Sequence, residues 1–359
     1  MTEPHNLPPA PGLADTTLRQ IVHVSIGGKR LRVQFSNAFG TAPLKLNAAH
    51  IAVSAGNSAI KPETDRALTF HGQPSVIIPT GAMMVSDPID FDLAPLSDLV
   101  VTIHINDPST VITGHPGSRC TSYVQAGNAV AAADLSTAAT TEHWYYLSGV
   151  DVLTTNTAAA VAILGDSITD GRGSTTDANR HWPDNLARRL QTNPHTNRVA
   201  VLNHGIGGNA LLRGGLGPNA LARLDRDVLA QPGVRWLIVL EGINDLGGKV
   251  SAHVLIAAYE QVIIRARDRN IRVYGATIMP CGQSFYFNPE LEAARQTVNY
   301  WVRTSGAFDA VIDMDAATRD PHNPTDLVAA VHGGDHLHPN DEGYRIMANA
   351  VNLKLFTRR

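Results

Sequence analysis

Beyond residue 155 the chain alternates uninterrupted apolar runs with helical stretches, and this restricts the fold more than any other feature. The apolar runs are residues 158–164, 199–202, 236–240 and 273–278, with a fifth at 310–314. A strand that is apolar on both faces is covered on both faces, as in a parallel sheet packed between helices. The stretches between these runs, residues 181–191, 219–231, 252–269 and 289–305, read as helices, and 342–356 reads as a closing amphipathic helix. Strands alternating with helices imply a parallel sheet with helices on both sides.

The first half has a different texture. Short apolar runs at 44–53, 67–70, 75–78, 89–93, 99–105 and 144–152 are separated by Gly, Pro, Asn and Asp, and helical periodicity is nearly absent. Residues 19–26 and 30–35, joined across Gly27-Gly28, read as a two-residue β-hairpin. Many short strands with regular turns predict an antiparallel β-sandwich or jelly roll. The chain is therefore expected to comprise an extended arm at 1–18, a β-sandwich at 19–154 and an α/β domain at 155–359, with the junction at 154–157.

Composition excludes several classes of function. A formal net charge of -3 suggests neither a nucleic-acid binder nor a polybasic membrane protein. No apolar run approaches the roughly 20 residues that cross a bilayer. Residues 1–15 hold four prolines and no apolar core of a signal peptide, so they read as an arm. The two cysteines, Cys120 and Cys281, make neither a disulfide framework nor a metal-type spacing. Two free, partly buried thiols are favoured over a bridge.

Four short motifs lie in the α/β half: Gly165-Asp166-Ser167-Ile168-Thr169, Gly205-Ile206-Gly207-Gly208-Asn209, Gly242-Ile243-Asn244-Asp245 and Asp335-His336-Leu337-His338-Pro339. Together they supply what acyl transfer needs: a serine nucleophile, a backbone donor, a side-chain amide donor, and a base paired with an orienting acid. Ser167 follows the first buried strand, and reactive groups in open α/β sheets sit beyond the carboxyl ends of strands. Its surroundings are not the G-x-S-x-G elbow, and the bland alternative is a helix cap. A serine hydroxyl needs a base. His338 is the candidate, in a loop that Pro339 keeps extended ahead of the last helix. Asp335, three residues earlier, reaches the ring through a tight turn and would hold its tautomer. His336 is expected to point away from Ser167 and to pack within the loop, since residues two apart in an extended loop face opposite ways. A rival reading groups His332, Asp335, His336 and His338 as a metal site, but so tight a cluster gives little control of tetrahedral geometry. Asp166 and Asp245 are either loop-fixing or plain turn aspartates. Trp182, Trp236 and Trp301 are expected in the core.

On these four motifs the chain resembles the SGNH (GDSL-type) serine hydrolases, over roughly residues 158–356. The resemblance implies a three-layer α/β/α sandwich with a catalytic triad of Ser167, Asp335 and His338. It also implies an oxyanion hole formed by the N–H groups of Ser167 and Gly208 and the side-chain amide of Asn244, with no cofactor and no metal. A weaker resemblance covers the first half. Thr17-Leu18-Arg19-Gln20, Leu31-Arg32-Val33 and Phe35-Ser36-Asn37-Ala38-Phe39-Gly40 are similar to the β domain of a subgroup that includes proteins linked with xylan degradation, often secreted. That subgroup implies a jelly-roll-like β-sandwich ahead of the catalytic domain, and secretion as the expected location with the cytoplasm as the alternative.

The function implied is a carboxylic-ester hydrolase working through an acyl-enzyme on Ser167. Its substrate would be a small-molecule or glycan ester with a short acyl group, with no nucleic-acid or membrane partner. Two alternatives stand beside it: a lysophospholipase or thioesterase using the same triad, and a glycan-binding protein with a relict site. Intact Ser167, Asn244, Asp335 and His338 argue against the relict. Acyl specificity and oligomeric state are not readable from the sequence.

Overall fold

The computed structural model describes residues 4–154 and 157–357. Residues 155 and 156 of the expected junction, residues 1–3 of the expected arm and residues 358–359 lie outside the described residues. The chain divides into two compact units, residues 1–156 and 157–359. No helix among the described residues is long and apolar enough to cross a membrane.

The first unit is built from antiparallel strands. One eight-stranded sheet runs in the order Ala139–Thr141, Ser122–Ala126, Thr16–His23, Asp98–Ile105, Leu44–Gly56, Ala59–Ile60, with Arg66–Ala67 and Val76–Ile78 also paired to Leu44–Gly56. A four-stranded sheet holds Leu147–Leu153, Gly28–Ser36 and Met83–Val85, with Ile89–Leu93 on Gly28–Ser36. Leu46, Ile51 and Ile103 of the first sheet share one core with Leu31, Val33 and Phe35 of the second. Residues 16–18, read from sequence as the end of an arm, already belong to the strand Thr16–His23.

The hairpin expected across Gly27-Gly28 does not form. Thr16–His23 pairs with Asp98–Ile105 and Ser122–Ala126, whereas Gly28–Ser36 lies in the other sheet. A two-residue hairpin needs positive φ at its first central residue at least, and neither glycine has it. Gly27 serves close approach instead: a Cβ there would lie 2.3 Å from the Leu93 carbonyl oxygen. The dipeptide carries the chain from one sheet to the other.

Arg19 is fully buried in this unit. Its guanidinium donates to Thr102 Oγ1 at 2.9 Å and to the carbonyls of Ser58 and Ala132 at 2.6 Å each. Arg19→Met keeps bulk but orphans both carbonyls, at about 1–3 kcal/mol for each buried group left unpaired. The expected result is a lower urea midpoint; an unchanged midpoint would show that other donors replace the guanidinium.

The second unit contains five parallel strands: β1 (Ala159–Gly165), β2 (Val199–Gly205), β3 (Val234–Leu240), β4 (Arg272–Ala276) and β5 (Ala310–Ile312). Their order is β2-β1-β3-β4-β5. All seven residues of β1 are buried, which is why its sequence shows no alternation. The helices are α1 (Ser167–Asp170), α2 (Trp182–Gln191), α3 (Ala220–Leu224), α4 (Ile243–Gly247), α5 (Ala252–Arg267), α6 (Pro289–Thr304), α7 (Met314–Thr318) and α8 (Asp341–Ala350). The helix expected at 219–231 is α3 followed by a π-helical turn, Asp225–Leu229. The closing helix ends at Ala350, and a 3₁₀ turn, Leu353–Phe356, follows it with Asn352 as its cap. Trp182 and Trp236 are buried in the core and Trp301 packs against it.

The chain leaves β1 for β2 on one side and returns to β3 on the other. Beyond the carboxyl ends of β1 and β3 the connecting loops diverge, and the crevice between them is where open α/β sheets place their ligands. Three of the four motifs sit at the ends of β1, β2 and β3.

Candidate active site

Ser167 is the first residue of α1, and Asp166 is its cap, with Oδ1 accepting the Ile168 N–H at 2.9 Å. The capping role is thus taken by Asp166, leaving the serine hydroxyl for other work. α1 sits tightly over the strand ends. A Cβ on Gly205 would lie 2.2 Å from the Asp170 nitrogen, so glycine there is a packing requirement.

Ser167 Oγ lies 2.8 Å from His338 Nε2, and His338 Nδ1 lies 2.5 Å from Asp335 Oδ2. The other Asp335 oxygen accepts the N–H groups of Leu337 at 3.0 Å and His338 at 2.9 Å. Burial alone would raise the Asp335 carboxyl, but these bonds to His338 and Leu337 outweigh it and bring it down to about 2. An ionised Asp335 only accepts, so Nδ1 carries the proton and Nε2 is left to accept from the serine hydroxyl.

The loop holding this pair is a tight turn that brings Asp335 to His338, and α8 begins beyond Pro339, at Asp341; the extended backbone expected around His336 is not found. His336 takes a φ of 57°, and two successive N–H groups converge on one aspartate oxygen. The conclusion about His336 nonetheless stands on different grounds: its ring packs against His332, with centroids 4.4 Å apart. No group of three or more His, Cys, Asp or Glu among the described residues is disposed to hold a metal ion.

The base loop is tied to the serine loop from α8. Asp341 accepts from the Thr175 N–H at 2.8 Å and the Thr175 hydroxyl at 2.7 Å. Tyr344 donates to the Arg172 carbonyl at 2.6 Å. These bonds hold His338 and Ser167, 171 positions apart in the chain, at hydrogen-bond distance.

Gly208, in the loop after β2, has a φ of 70°, and a Cβ there would lie 2.6 Å from Leu216 Cδ1. Asn244 stands in the first turn of α4. Its Nδ2 donates to the Asn209 carbonyl at 2.7 Å and approaches Asp166 Oδ2 at 3.4 Å. The amide thus bridges the residue after Gly208 and the residue before Ser167. Asp245 accepts the N–H groups of Leu211 at 2.7 Å and Leu212 at 3.0 Å, so it fixes the loop that carries Gly208.

Two contributors escaped sequence reasoning. Buried Arg223 donates to Asn209 Oδ1 at 3.0 Å, the His204 carbonyl at 2.8 Å, the Gly165 carbonyl at 3.1 Å and Glu241 Oε1 at 3.4 Å. One cation therefore ties the ends of β1, β2 and β3, but its only sequence signal was an arginine within a helical stretch. The other is Tyr286, whose hydroxyl donates to Asn244 Oδ1 at 2.8 Å. The run Phe285-Tyr286-Phe287 in an otherwise polar loop was a usable signal. Two acids pair with Arg223, Asp227 at 3.0 Å and Glu241 at 3.4 Å. Burial pushes the Asp166 carboxyl up to about 7, with Asp245 and Asp170 adding to the rise, and lifts Glu241 well above the usual range.

Beside the site lies a small cavity lined by Ile168, Leu240, Ile243, Ile278, Met279, Pro280 and Leu337, with Asp166 and Glu241 as its polar wall. It has room for little more than a water-sized group. Cys120 and Cys281 are both buried and free.

At the switch point of this parallel sheet Ser167, His338 and Asp335 stand in one hydrogen-bonded line. The family model of the GDSL-like Lipase/Acylhydrolase family matches residues 163–346, just over half of the chain, and the chain belongs to that family. No curated protein matches it. Among solved structures, a member of the lipolytic protein G-D-S-L family from Veillonella parvula is 20% identical, with a TM-score of 0.43, over 56% of this chain and 100% of that one. An acetylxylan esterase from Geobacillus stearothermophilus is 19% identical, also at 0.43, over 57% and 98%. The acetyl xylan esterase AlAXEase is 22% identical, again at 0.43, over 53% and 96%.

Proposed function

We propose that the protein is a carboxylic-ester hydrolase in which Ser167 is the nucleophile, His338 the general base and Asp335 the orienting acid. Ser167 Oγ attacks the ester carbonyl carbon while His338 Nε2 takes the hydroxyl proton. The N–H groups of Ser167 and Gly208 and the Asn244 amide receive the developing oxyanion. The tetrahedral intermediate collapses, His338 returns the proton to the departing alcohol oxygen, and the acyl group stays on Ser167. Water, deprotonated by His338, then adds to the acyl carbon; the acyl–Oγ bond breaks, His338 returns the proton to Ser167 Oγ, and the acid leaves. The hydrogen-bonded line from Ser167 through His338 to Asp335, 2.8 Å and 2.5 Å, carries this reading.

The substrate we favour is a short-acyl ester of a carbohydrate or another small alcohol. The choice rests on the resemblance of residues 17–40 to the β domain of hydrolases linked with xylan degradation. A jelly-roll-like β-sandwich for the first unit and a three-layer α/β/α arrangement for the second belong to the same proposal.

Hydrolysis of p-nitrophenyl acetate, butyrate and decanoate, with and without chelator, tests it. Turnover that is fastest on acetate, spared by chelator and abolished by Ser167→Ala is expected. A preference for decanoate would move the assignment to a lysophospholipase or thioesterase. Turnover that Ser167→Ala leaves intact would sink the mechanism.

A further inference from the structure

α4 ends in two glycines, and both are occupied by side chains from elsewhere. A Cβ on Gly247 would lie 2.4 Å from Tyr286 Cε1, and one on Gly248 would lie 2.0 Å from Arg213 Nη2. The Tyr286 ring is therefore seated directly on the helix backbone, three residues after Asn244. From that seat its hydroxyl reaches Asn244 Oδ1 at 2.8 Å. Arg213 completes the clamp by donating to the Asn244 carbonyl at 3.3 Å.

A primary amide can be turned by half a rotation with little change of shape, exchanging donor for acceptor. At Asn244 both ends are specified. The Asn209 carbonyl takes Nδ2–H, and the Tyr286 hydroxyl donates to Oδ1. Burial raises the Tyr286 phenol, so the hydroxyl keeps its proton through the neutral range and remains a donor. A bond donated to an amide oxygen also draws charge from its nitrogen and strengthens the remaining N–H as a donor. That second N–H points towards Asp166, the neighbour of Ser167.

We infer that Tyr286 is a positioning residue for the oxyanion pocket, acting through Asn244 and dependent on glycine at position 247. The inference rests on the reading of Asn244 as an oxyanion donor. It assigns Tyr286 to the transition state and not to substrate binding, since the ester carbonyl gains its full negative charge only during reaction.

The test uses Tyr286→Phe, which keeps the ring on Gly247 and removes only the hydroxyl, alongside Asn244→Ala, the double variant and Gly247→Ala, all with p-nitrophenyl acetate. Tyr286→Phe is expected to lower kcat roughly tenfold, with KM within about twofold and the melting temperature unchanged. On the Asn244→Ala background the same change is expected to do nothing further. Gly247→Ala, which displaces the ring, is expected to lower kcat at least as much as Tyr286→Phe. Three results overturn the inference: an unchanged kcat in Tyr286→Phe where Asn244→Ala is severely impaired, an equal loss on both backgrounds, or a loss confined to KM. An unimpaired Asn244→Ala would instead bring down the oxyanion reading itself, and this inference with it.

Discussion

Ser167→Ala is expected to lower kcat/KM for a short aryl ester by about 10⁴- to 10⁶-fold. The Ser167 oxygen is the atom that would form the covalent bond to the acyl carbon, and it lies 2.8 Å from His338 Nε2. His338→Ala should cost about as much, and the double variant little more, because nucleophile and base act as one unit. The Ser167 hydroxyl makes one hydrogen bond to His338, so the melting temperature should move little. Separate and additive losses, or a fall explained by unfolding, would argue against a shared catalytic step. The measurement is steady-state kinetics paired with thermal denaturation.

Asp335→Asn is expected to lower kcat by about 10⁴-fold while leaving the loop folded. The asparagine oxygen can still accept the N–H groups of Leu337 and His338. Its NH₂ then faces His338 Nδ1, which must become an acceptor, and the ring proton moves to Nε2, the nitrogen that should take the serine proton. The wild-type carboxyl, held down at about 2, stays ionised through the neutral range, so Asp335 does not set the acid limb of kcat/KM. The linkage sign follows from the same depression. Asp335 contributes stability that is present above the ordinary aspartate range, near pH 4, and is lost as pH falls towards 2. The contribution is discounted because the Asp335 side chain is 42% exposed. Asp166 has the opposite sign. Its carboxyl is raised to about 7, so the folded state is favoured at low pH and loses that advantage as pH rises from about 4 to about 7. Stability measured across pH 2 to 8 in wild type, Asp335→Asn and Asp166→Asn separates the two. An Asp335→Asn variant with full kcat would remove the orienting role.

The parts of this protein that could be read from the sequence are those where one residue type answers to one constraint. Residues 159–165 are buried on both faces and therefore uniformly apolar, so the central strand announces itself. Ser167, Asn244, Asp335 and His338 stand in short motifs, and the structure brings Ser167, His338 and Asp335 into hydrogen-bond contact. Where one signal serves two purposes the reading failed. Gly27-Gly28 marks a turn by composition, but here glycine is needed for close approach to Leu93. His336 and His338 read as opposite faces of an extended loop, yet Asp335 gathers two N–H groups and His336 takes a positive φ. Arg223 and Tyr286 act through contacts between segments distant in the chain; no local pattern marks Arg223, and the aromatic run 285–287 marks Tyr286 without naming its partner.

The proposed base and acid, His338 and Asp335, sit three residues apart on a single turn, whereas the proposed nucleophile, Ser167, belongs to another element. Only one joint of the triad, Ser167 to His338, is therefore a tertiary joint; the Asp335–His338 couple is written into the local chain. The bonds from Asp341 and Tyr344 to residues 172 and 175 act as the hinge pins of that joint. Mild denaturant that loosens α8 should uncouple the serine first and leave the imidazole still holding its carboxylate. The enzyme would then fall silent while the ring proton between Asp335 and His338 remained visible by NMR, so loss of activity would precede loss of the couple that drives it.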